Sequence, residues 1–332
     1  LVTEGGSFSN TVSAYDTFRR GGAFNEGSLA PFTVTLDHLR VRYQPSGQQR
    51  GAPRDFQAKV SYTTSPDAPV RTYDLRVNHP LVVDGTKVFL LGNGYAPVFT
   101  VRDGTGQVVF SGPVTFVPRD GNNTSTGVVK VSGAKPDQLG FQGLFLPSAA
   151  LDPKRGPISV YPDVTLPRAV LNAWHGDLGL DAGAAQSVYQ LDTSKMKQIT
   201  RGGRPVAQAL APGGTMTLPD GLGSIRFDGV RRWATLQVAH DPGKEPALGA
   251  AALALVGLML SLFVRRRRVW VRVGAADGGR TLVEVAGLAR AEGEGLAEEV
   301  GEIAGELRAD AAPAVGPTGP SQATAPVADE ED

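Results

Sequence analysis

Pro246 to Val264 contains no charged side chain, and Arg265, Arg266, Arg267 and Arg268 close it. About nineteen such residues make roughly 28 Å of helix at ~1.5 Å per residue, close to the ~30 Å hydrocarbon core of a bilayer. A helix of a soluble core is rarely this long, apolar on every side and clamped by a block of arginines. The run is therefore expected to cross a membrane. Positive flanks stay on the cytoplasmic side, whereas the opposite flank, His240 to Glu245, is mixed in sign. That asymmetry puts residues 265–332 in the cytoplasm and residues 1–240 outside it. The run lies late in the chain, so it is not a secretory signal.

Composition narrows what the outer 240 residues can be. The chain has 332 residues, a net charge of +0 and no Cys. A balanced charge argues against a nucleic-acid partner, which needs a basic surface. Without Cys there are no disulfide staples, no thiolate chemistry and no Cys-ligated metal. The outer region must hold itself together by its own core, and it is long enough to bury one. The sequence opens Leu1-Val2-Thr3, with neither an initiating Met nor a signal peptide ahead of a region that has to be exported. The expectation is a longer protein whose preceding part carries at least one further membrane span.

Residues 31–117 read as strands. "PFTVTLDHLRVRY" alternates apolar and polar positions and is rich in β-branched residues. "FQAKVSYTTSPDAPVRTYDLRV" gives two strands about Ser65-Pro66-Asp67. Asp84-Gly85, Asn93-Gly94 and Asp103-Gly104 are hairpin signals. Turns about every ten residues suit a sandwich or open barrel. Residues 118–220 read as less regular, with one short helical turn near Ala184 to Tyr189, and strand alternation returns from Gly213 to Pro242. The expected fold is mainly β. One β-rich extracytoplasmic domain over 1–240 is followed by a tight junction at 241–245 and a single transmembrane helix at 246–264. A small cytoplasmic tail completes the chain. Its residues 265–310 read as a hairpin about Asp277-Gly278-Gly279 and a short helix facing inward through Leu296, Val300, Ile303 and Leu307. Residues 311–332 have the Pro, Ala, Gly and acidic composition of a disordered segment.

Residues 77–103, "VNHPLVVDGTKVFLLGNGYAPVFTVRD", resemble the signature of the ResB (CcsB) family of cytochrome c biogenesis proteins. The pattern is Val-Asn-x-Pro-Leu, a spacer, a Gly and then an aromatic strand, with Asn78, Pro80, Leu81 and Gly85 at its fixed points. "EGGSFSNTVSAYDTF", "FTVTLDHLRVRY" and "DFQAKVSY" precede it in the order that family uses. "WATLQVAHDPGKEPALGAAALALVGLMLSLFVRRRRVWVRV" resembles its closing segment, in which a strand, Asp241-Pro242-Gly243 and the last membrane helix run together. The Gly-Leu-Ala-Arg segment beginning at Gly287 is similar to actinobacterial members. The resemblance implies a subunit of the system II machinery that matures cytochromes c. Such a subunit acts with a polytopic ResC/CcsA-type partner to carry haem outward and present it to apocytochrome c, whose Cys-x-x-Cys-His thiols take the haem vinyl groups. A thiol-reducing protein is a further partner that this chemistry admits. Haem would be transient cargo, held mainly by the partner or by membrane spans expected before residue 1. Any haem-ligating histidine on those spans lies outside this sequence.

The candidate chemistry is sparse. Of the four histidines, His240 is the best placed, beside the membrane helix where a lipid-borne haem would emerge, and imidazole binds haem iron readily. The bland alternative is an interfacial side chain paired with Asp241. His79 sits inside the Asn-x-Pro-Leu motif, where Asn78 and Pro80 read as turn-setting residues. His38 lies on the polar side of its strand. His175 follows Trp174 but lacks the repeated tryptophans of a haem-handling segment. Arg231 and Arg232 have guanidinium forks that match haem propionates, yet two arginines near a membrane more often meet solvent or lipid headgroups. No nucleophile elbow, zinc motif or acid/base pair stands out. The "GNG" at Gly92–Gly94 has no helix after it, so a dinucleotide site fails its context. Asn122-Asn123-Thr124 fits the glycosylation pattern, which is common by chance. A haem-presenting assembly subunit is the first functional reading. A membrane-anchored receptor or sensor is the second, and a tail with no kinase or nucleotide motif favours the first.

Overall fold

The computed structural model describes residues 1–22, 24–180, 187–263, 267–278, 280–289 and 295–311. Two compact units result, Leu1–Asp241 and Pro242–Asp332. The first begins with β1 (Val2–Thr3), β2 (Ser7–Ser9), β3 (Thr33–Tyr43), β4 (Pro53–Thr63), β5 (Arg71–Arg76), β6 (Leu81–Val83), β7 (Thr86–Asp103) and β8 (Val108–Pro113). It continues with β9 (Val117–Pro118), β10 (Ser125–Val131), β11 (Leu139–Leu146), β12 (Ala149–Asp152), β13 (Gly156–Ser159) and β14 (Arg168–Gly176). It ends with β15 (Met196–Gln198), β16 (Thr200–Arg201), β17 (Arg204–Pro205), β18 (Ala207–Leu210), β19 (Thr215–Thr217) and β20 (Gly223–Ala239).

One antiparallel pair organises the unit. β7 has 18 residues and β20 has 17, and they pair along their whole length from Gly223↔Asp103 to Ala239↔Lys87. At ~3.3 Å per residue the ladder is about 55 Å long. β1 and β6 flank it at one end, β19 and β8 at the other. A second sheet runs β2-β3-β4-β5, and a third runs β15-β14-β11-β10-β9 with β18 on β14. The short pairs β12-β13 and β16-β17 stand apart.

Each of the two larger sheets packs on its own half of the ladder. Val88, Leu90 and Ala234 share a core with Val34, Leu36, Leu39, Val60 and Leu75 of the second sheet. Tyr95, Phe99, Val101, Ile225 and Phe227 share another with Phe116 and with Val129, Phe141, Phe145 and Leu171 of the third. A strand with strict alternation would keep one parity inward throughout. β7 instead buries Val88 and Leu90, then Tyr95, Phe99 and Val101. A bulge explains the change: Thr235 pairs with Gly92 but Leu236 pairs with Leu90, so Leu91 is an extra residue and stands exposed. A second bulge at Asp228 does the same for β20. The two insertions keep the apolar set on one face of a ladder that serves both cores.

This geometry overturns one sequence expectation. Asn93-Gly94 is not a turn but lies within β7, where Gly94 pairs with Trp233. A Cβ on Gly94 would stand 2.3 Å from Trp233 Cζ2, so the glycine makes room for the indole. Trp233 Nε1 donates to the carbonyls of Tyr95 and Phe116, both at 3.1 Å, which ties the ladder to the connection between β8 and β9. The other two signals do turn the chain. Asp84 and Gly85, with φ of 46° and 76°, form the two-residue link between β6 and β7. Asp103 closes the β7–β8 loop by accepting from the Thr105 hydroxyl and from the backbone N–H groups of Thr105 and Gln107, bonds that hold its carboxyl below the usual range. Residues 118–220 are also more regular than expected, because β10, β11 and β14 form the middle of the third sheet. The helical turn expected near Ala184 begins within 181–186, outside the described residues.

The second unit contains α1 (Lys244–Phe263), β21 (Arg267–Ala276), β22 (Arg280–Ala289) and α2 (Leu296–Asp310). α1 starts two residues earlier than the apolar run. The carbonyl of Gly243 accepts from Ala247 N at 3.0 Å, and Pro246 falls in the first turn, where its missing N–H is harmless. Among the described residues, α1 is the one helix long and apolar enough to cross a membrane, with a mean hydropathy of 2.1. β21 and β22 pair in register about Asp277-Gly278. A Cβ on Gly287 would stand 2.7 Å from Val300 and 3.0 Å from Leu296, so α2 packs closely on that face. Arg265, Arg266 and residues 312–332 lie outside the described set.

Gly94→Ala forces the Trp233 ring off the ladder and strands its N–H. Thermal unfolding of the purified chain is expected to show a loss of about 2–3 kcal/mol, the sum of overpacking and a broken buried hydrogen bond. An unchanged unfolding temperature would contradict the seam.

Candidate functional site: a seam between two cores and the foot of the ladder

The ladder positions the candidate residues in two separate places. At its foot, β20 ends at Ala239 opposite Lys87, and His240 follows. His240 Nδ1 lies 3.3 Å from Thr86 Oγ1, and a Cβ on Gly85 would come within 3.7 Å of His240 Cε1. Gly85 therefore serves twice: it supplies the left-handed turn and leaves the imidazole its place. Thr86 is buried while His240 is exposed, so the histidine caps the foot with one ring nitrogen engaged. Asp241, Pro242 and Gly243 then lead to α1.

The Asn-His-Pro-Leu stretch is a turn. His79 N donates to the Arg76 carbonyl at 3.0 Å, and Asn78 takes the left-handed conformation with φ 65°. The Pro80 carbonyl accepts from the Tyr73 hydroxyl at 3.2 Å. Leu81 drops into the core shared with the second sheet. His79 itself is exposed. The motif thus carries the chain from β5 of the second sheet to β6 of the first.

Arg231 and Arg232 are neighbours on β20 and point to opposite faces. Arg231 is exposed, with Nη1 donating to the Glu4 carbonyl at 3.2 Å. Arg232 turns inward. Its Nη2 lies 2.6 Å from Asp163 Oδ1, its Nη1 donates to the carbonyls of Leu39 and Val41, and its guanidinium lies 5.6 Å from the Tyr95 ring centroid. The Tyr95 hydroxyl donates to the Pro162 carbonyl at 2.9 Å, and burial holds its pKa well above the usual phenol value. Glu4 completes the cluster. Its Oε1 accepts from Leu39 N at 2.8 Å and lies 2.9 Å from His38 Nδ1, and its Oε2 accepts from Arg232 N at 3.0 Å. Glu4 thereby fastens β3 of the second sheet to β20 of the first.

These residues border a cavity of about 430 Å³ lined in part by Glu4, His38, Arg40, Tyr95 and Arg232. Its arginines are paired: Asp163 meets Arg232, and Asp55 meets Arg40. Sequence reading passed over Glu4, Tyr95 and Asp163, each of which acts through partners far away in the chain. The Gly5-Gly6 pair after Glu4 was the one local sign of a bend.

The candidates do not converge on a single haem site. Seven to eight residues of strand separate Arg232 from His240, about 26 Å at ~3.3 Å per residue. Arg232 is already engaged by Asp163, and Arg231 faces the other way. What the foot of the ladder offers is one exposed imidazole, with Nδ1 turned toward Thr86. Among the described residues, no group of three or more His, Asp or Glu is arranged to hold a metal ion. His175 Nδ1 lies 2.8 Å from Asp137 Oδ2, which joins β14 to the loop before β11.

A family model described as the ResB-like family matches residues 1–301, and the chain belongs to that family. The family is associated with cytochrome c biogenesis. The match covers the β unit, α1, the hairpin and the start of α2. No curated protein matches the chain, and no solved structure matches it.

The two arginines give a contrast that a shared ligand site would not. Arg232→Ala is expected to cost about 1–3 kcal/mol of stability, because it leaves Asp163 and two carbonyls short of a partner at a partly exposed site. Arg231→Ala is expected to stay within about 0.5 kcal/mol. Chemical denaturation of the two variants measures both, and equal effects would contradict the geometry.

Proposed function

We propose that this chain is a scaffold subunit of a cytochrome c maturation complex and that its β unit is a docking domain joined to a membrane helix by a short link. The ResB-like family match across residues 1–301 carries this reading. The family's association with cytochrome c biogenesis supports the general role, and the finer steps follow from chemistry. Haem is the cargo. A ResC/CcsA-type polytopic partner carries and ligates it, and the β unit presents the apocytochrome surface beside it. The chain contains no Cys, so the thiols that join haem come from apocytochrome c, kept reduced by a separate thiol-reducing protein. The four arginines at 265–268 favour a cytoplasmic tail and an extracytoplasmic β unit.

The chain's own contribution is mechanical. β20 is the spine of both cores, and it ends at Ala239, while α1 begins at Lys244. Only residues 240–243 separate them. At ~3.5 Å per residue such a link reaches less than about 20 Å, and Pro242 stiffens it further. A domain tethered so briefly samples a small volume, which raises its effective concentration at a partner in the same membrane. His240 caps the foot of the ladder through Thr86 and steadies the start of the link.

Inserting about six Gly/Ser residues after Gly243 adds ~13 Å of r.m.s. reach. The expected outcome is a stable chain that still reaches the membrane but strongly reduces holocytochrome c, read by haem staining of c-type cytochromes. Full maturation with the insertion would defeat the reading. His240→Ala is expected to have a mild effect. A severe loss restored by added imidazole would instead make His240 a haem ligand.

A further inference from the structure

The family role leaves the hairpin of β21 and β22 without a task, and its two faces differ sharply. Gly287 points at Val300 and Leu296 of α2, so α2 packs on the face that carries Gly287 and Val285, while Val271, Val273 and Val283 of that face stay exposed beside it. Alternation and register put the even-numbered residues of both strands on the other face. That outer face bears Arg268, Trp270 and Arg272 from β21 and Arg280, Leu282 and Leu288 from β22, all exposed. Its one acid, Glu284, lies 4.0 Å from Arg272. Three cations, an indole and two leucines in a two-stranded sheet are more apolar than a water-facing surface should be, and too basic for a buried core.

The opposite side of the same unit is acidic. Glu298, Glu302 and Glu306 are exposed and recur every four residues along α2, on the side turned away from Leu296 and Val300. The unit is thus polarised, with a basic-aromatic face and an acidic back. The hairpin is also held near a bilayer if α1 spans one, because β21 starts at Arg267 while α1 ends at Phe263.

We propose that the outer face of this hairpin lies flat on the anionic lipid headgroups of the leaflet where α1 ends. The proposal rests on α1 as a membrane span. Trp side chains favour the headgroup level, where the ring has an apolar body and a polar edge to satisfy. Arginines beside a membrane helix are drawn to anionic lipid within a Debye length of the surface. Leu282 and Leu288 supply apolar area that enters the boundary region. The acidic row on α2 sets the orientation, since turning the unit over would press glutamates against a surface of their own sign. The face is therefore a lipid-binding surface that holds α2, and the chain after it, at a defined side of the hairpin.

Residues 1–332 contain no Cys, so a thiol introduced among them is the only one in this chain. The 332-residue chain carrying Leu282→Cys or Glu302→Cys, labelled with the polarity-sensitive fluorophore NBD, is reconstituted into nanodiscs of phosphatidylcholine alone or with phosphatidylglycerol. In phosphatidylglycerol discs the label at 282 is expected to shift to the blue and lose its quenching by aqueous acrylamide. Raising salt to 1 M, where the Debye length falls to about 3 Å, is expected to reverse both changes without any further mutation. Arg268→Glu combined with Arg280→Glu should reverse them at low salt. The label at 302 should remain quenched in every disc. A 282 label that stays open to acrylamide in phosphatidylglycerol discs overturns the proposal. Protection that is equal in both lipids and indifferent to salt also overturns it, in favour of a protein-covered face. Failure of the chain to enter discs at all would remove the membrane span and the proposal with it, whereas the other two outcomes leave the span intact.

Discussion

The pairing of β7 with β20 is the constraint on which the rest of the first unit depends. It is longer than either core needs alone, and each half of its inward face fills a different core. Such a ladder would twist and lose phase over this length, and the bulges at Leu91 and Asp228 reset it. Gly94 and Trp233 sit where one core gives way to the other. The indole fills space that a side chain on Gly94 would claim, and its N–H reaches two carbonyls at once. The nearby Glu4 and Arg232 clusters then fasten the flanking strands and loops to the same stretch of ladder.

This arrangement gives meaning to the short link before α1. The strand that leaves the domain is its spine, not a peripheral edge, so a constraint applied at Ala239 acts on the whole β unit. The hairpin and helix beyond α1 are polarised in their own way, with a basic-aromatic face and an acidic back.

Much of the architecture was legible in the sequence. Alternation marked β3, β4 and β20, Asp84-Gly85 and Asp103-Gly104 marked true turns, and the uncharged run marked α1. The hairpin about Asp277-Gly278 and the inward face of α2 were equally plain. What failed did so for physical reasons. Asn93-Gly94 has the composition of a turn, but its glycine answers to Trp233, which is remote in sequence. The third sheet was missed because β10 and β11 are interrupted by Gly127, Gly140 and Gly143, glycines that make room for the Phe116 ring, the Leu191 and Met196 side chains and the Val170 carbonyl. The candidate site was least legible. Arg232 carries the composition of a propionate ligand, yet its partners Asp163, Leu39 and Val41 come from distant segments. His240 and Gly85 were each noticed alone, and only the fold brings them together.

The central claim is that one ladder makes the β unit a single mechanical body. Native-state hydrogen exchange along β7 and β20 in the full-length protein tests it most directly. The account predicts that amides near Val88 and Leu90 and amides near Phe99 and Val101 open with the same free energy and the same denaturant dependence, as one cooperative unit. Two distinct openings, with the halves of the ladder exchanging independently on either side of Gly94, would contradict it.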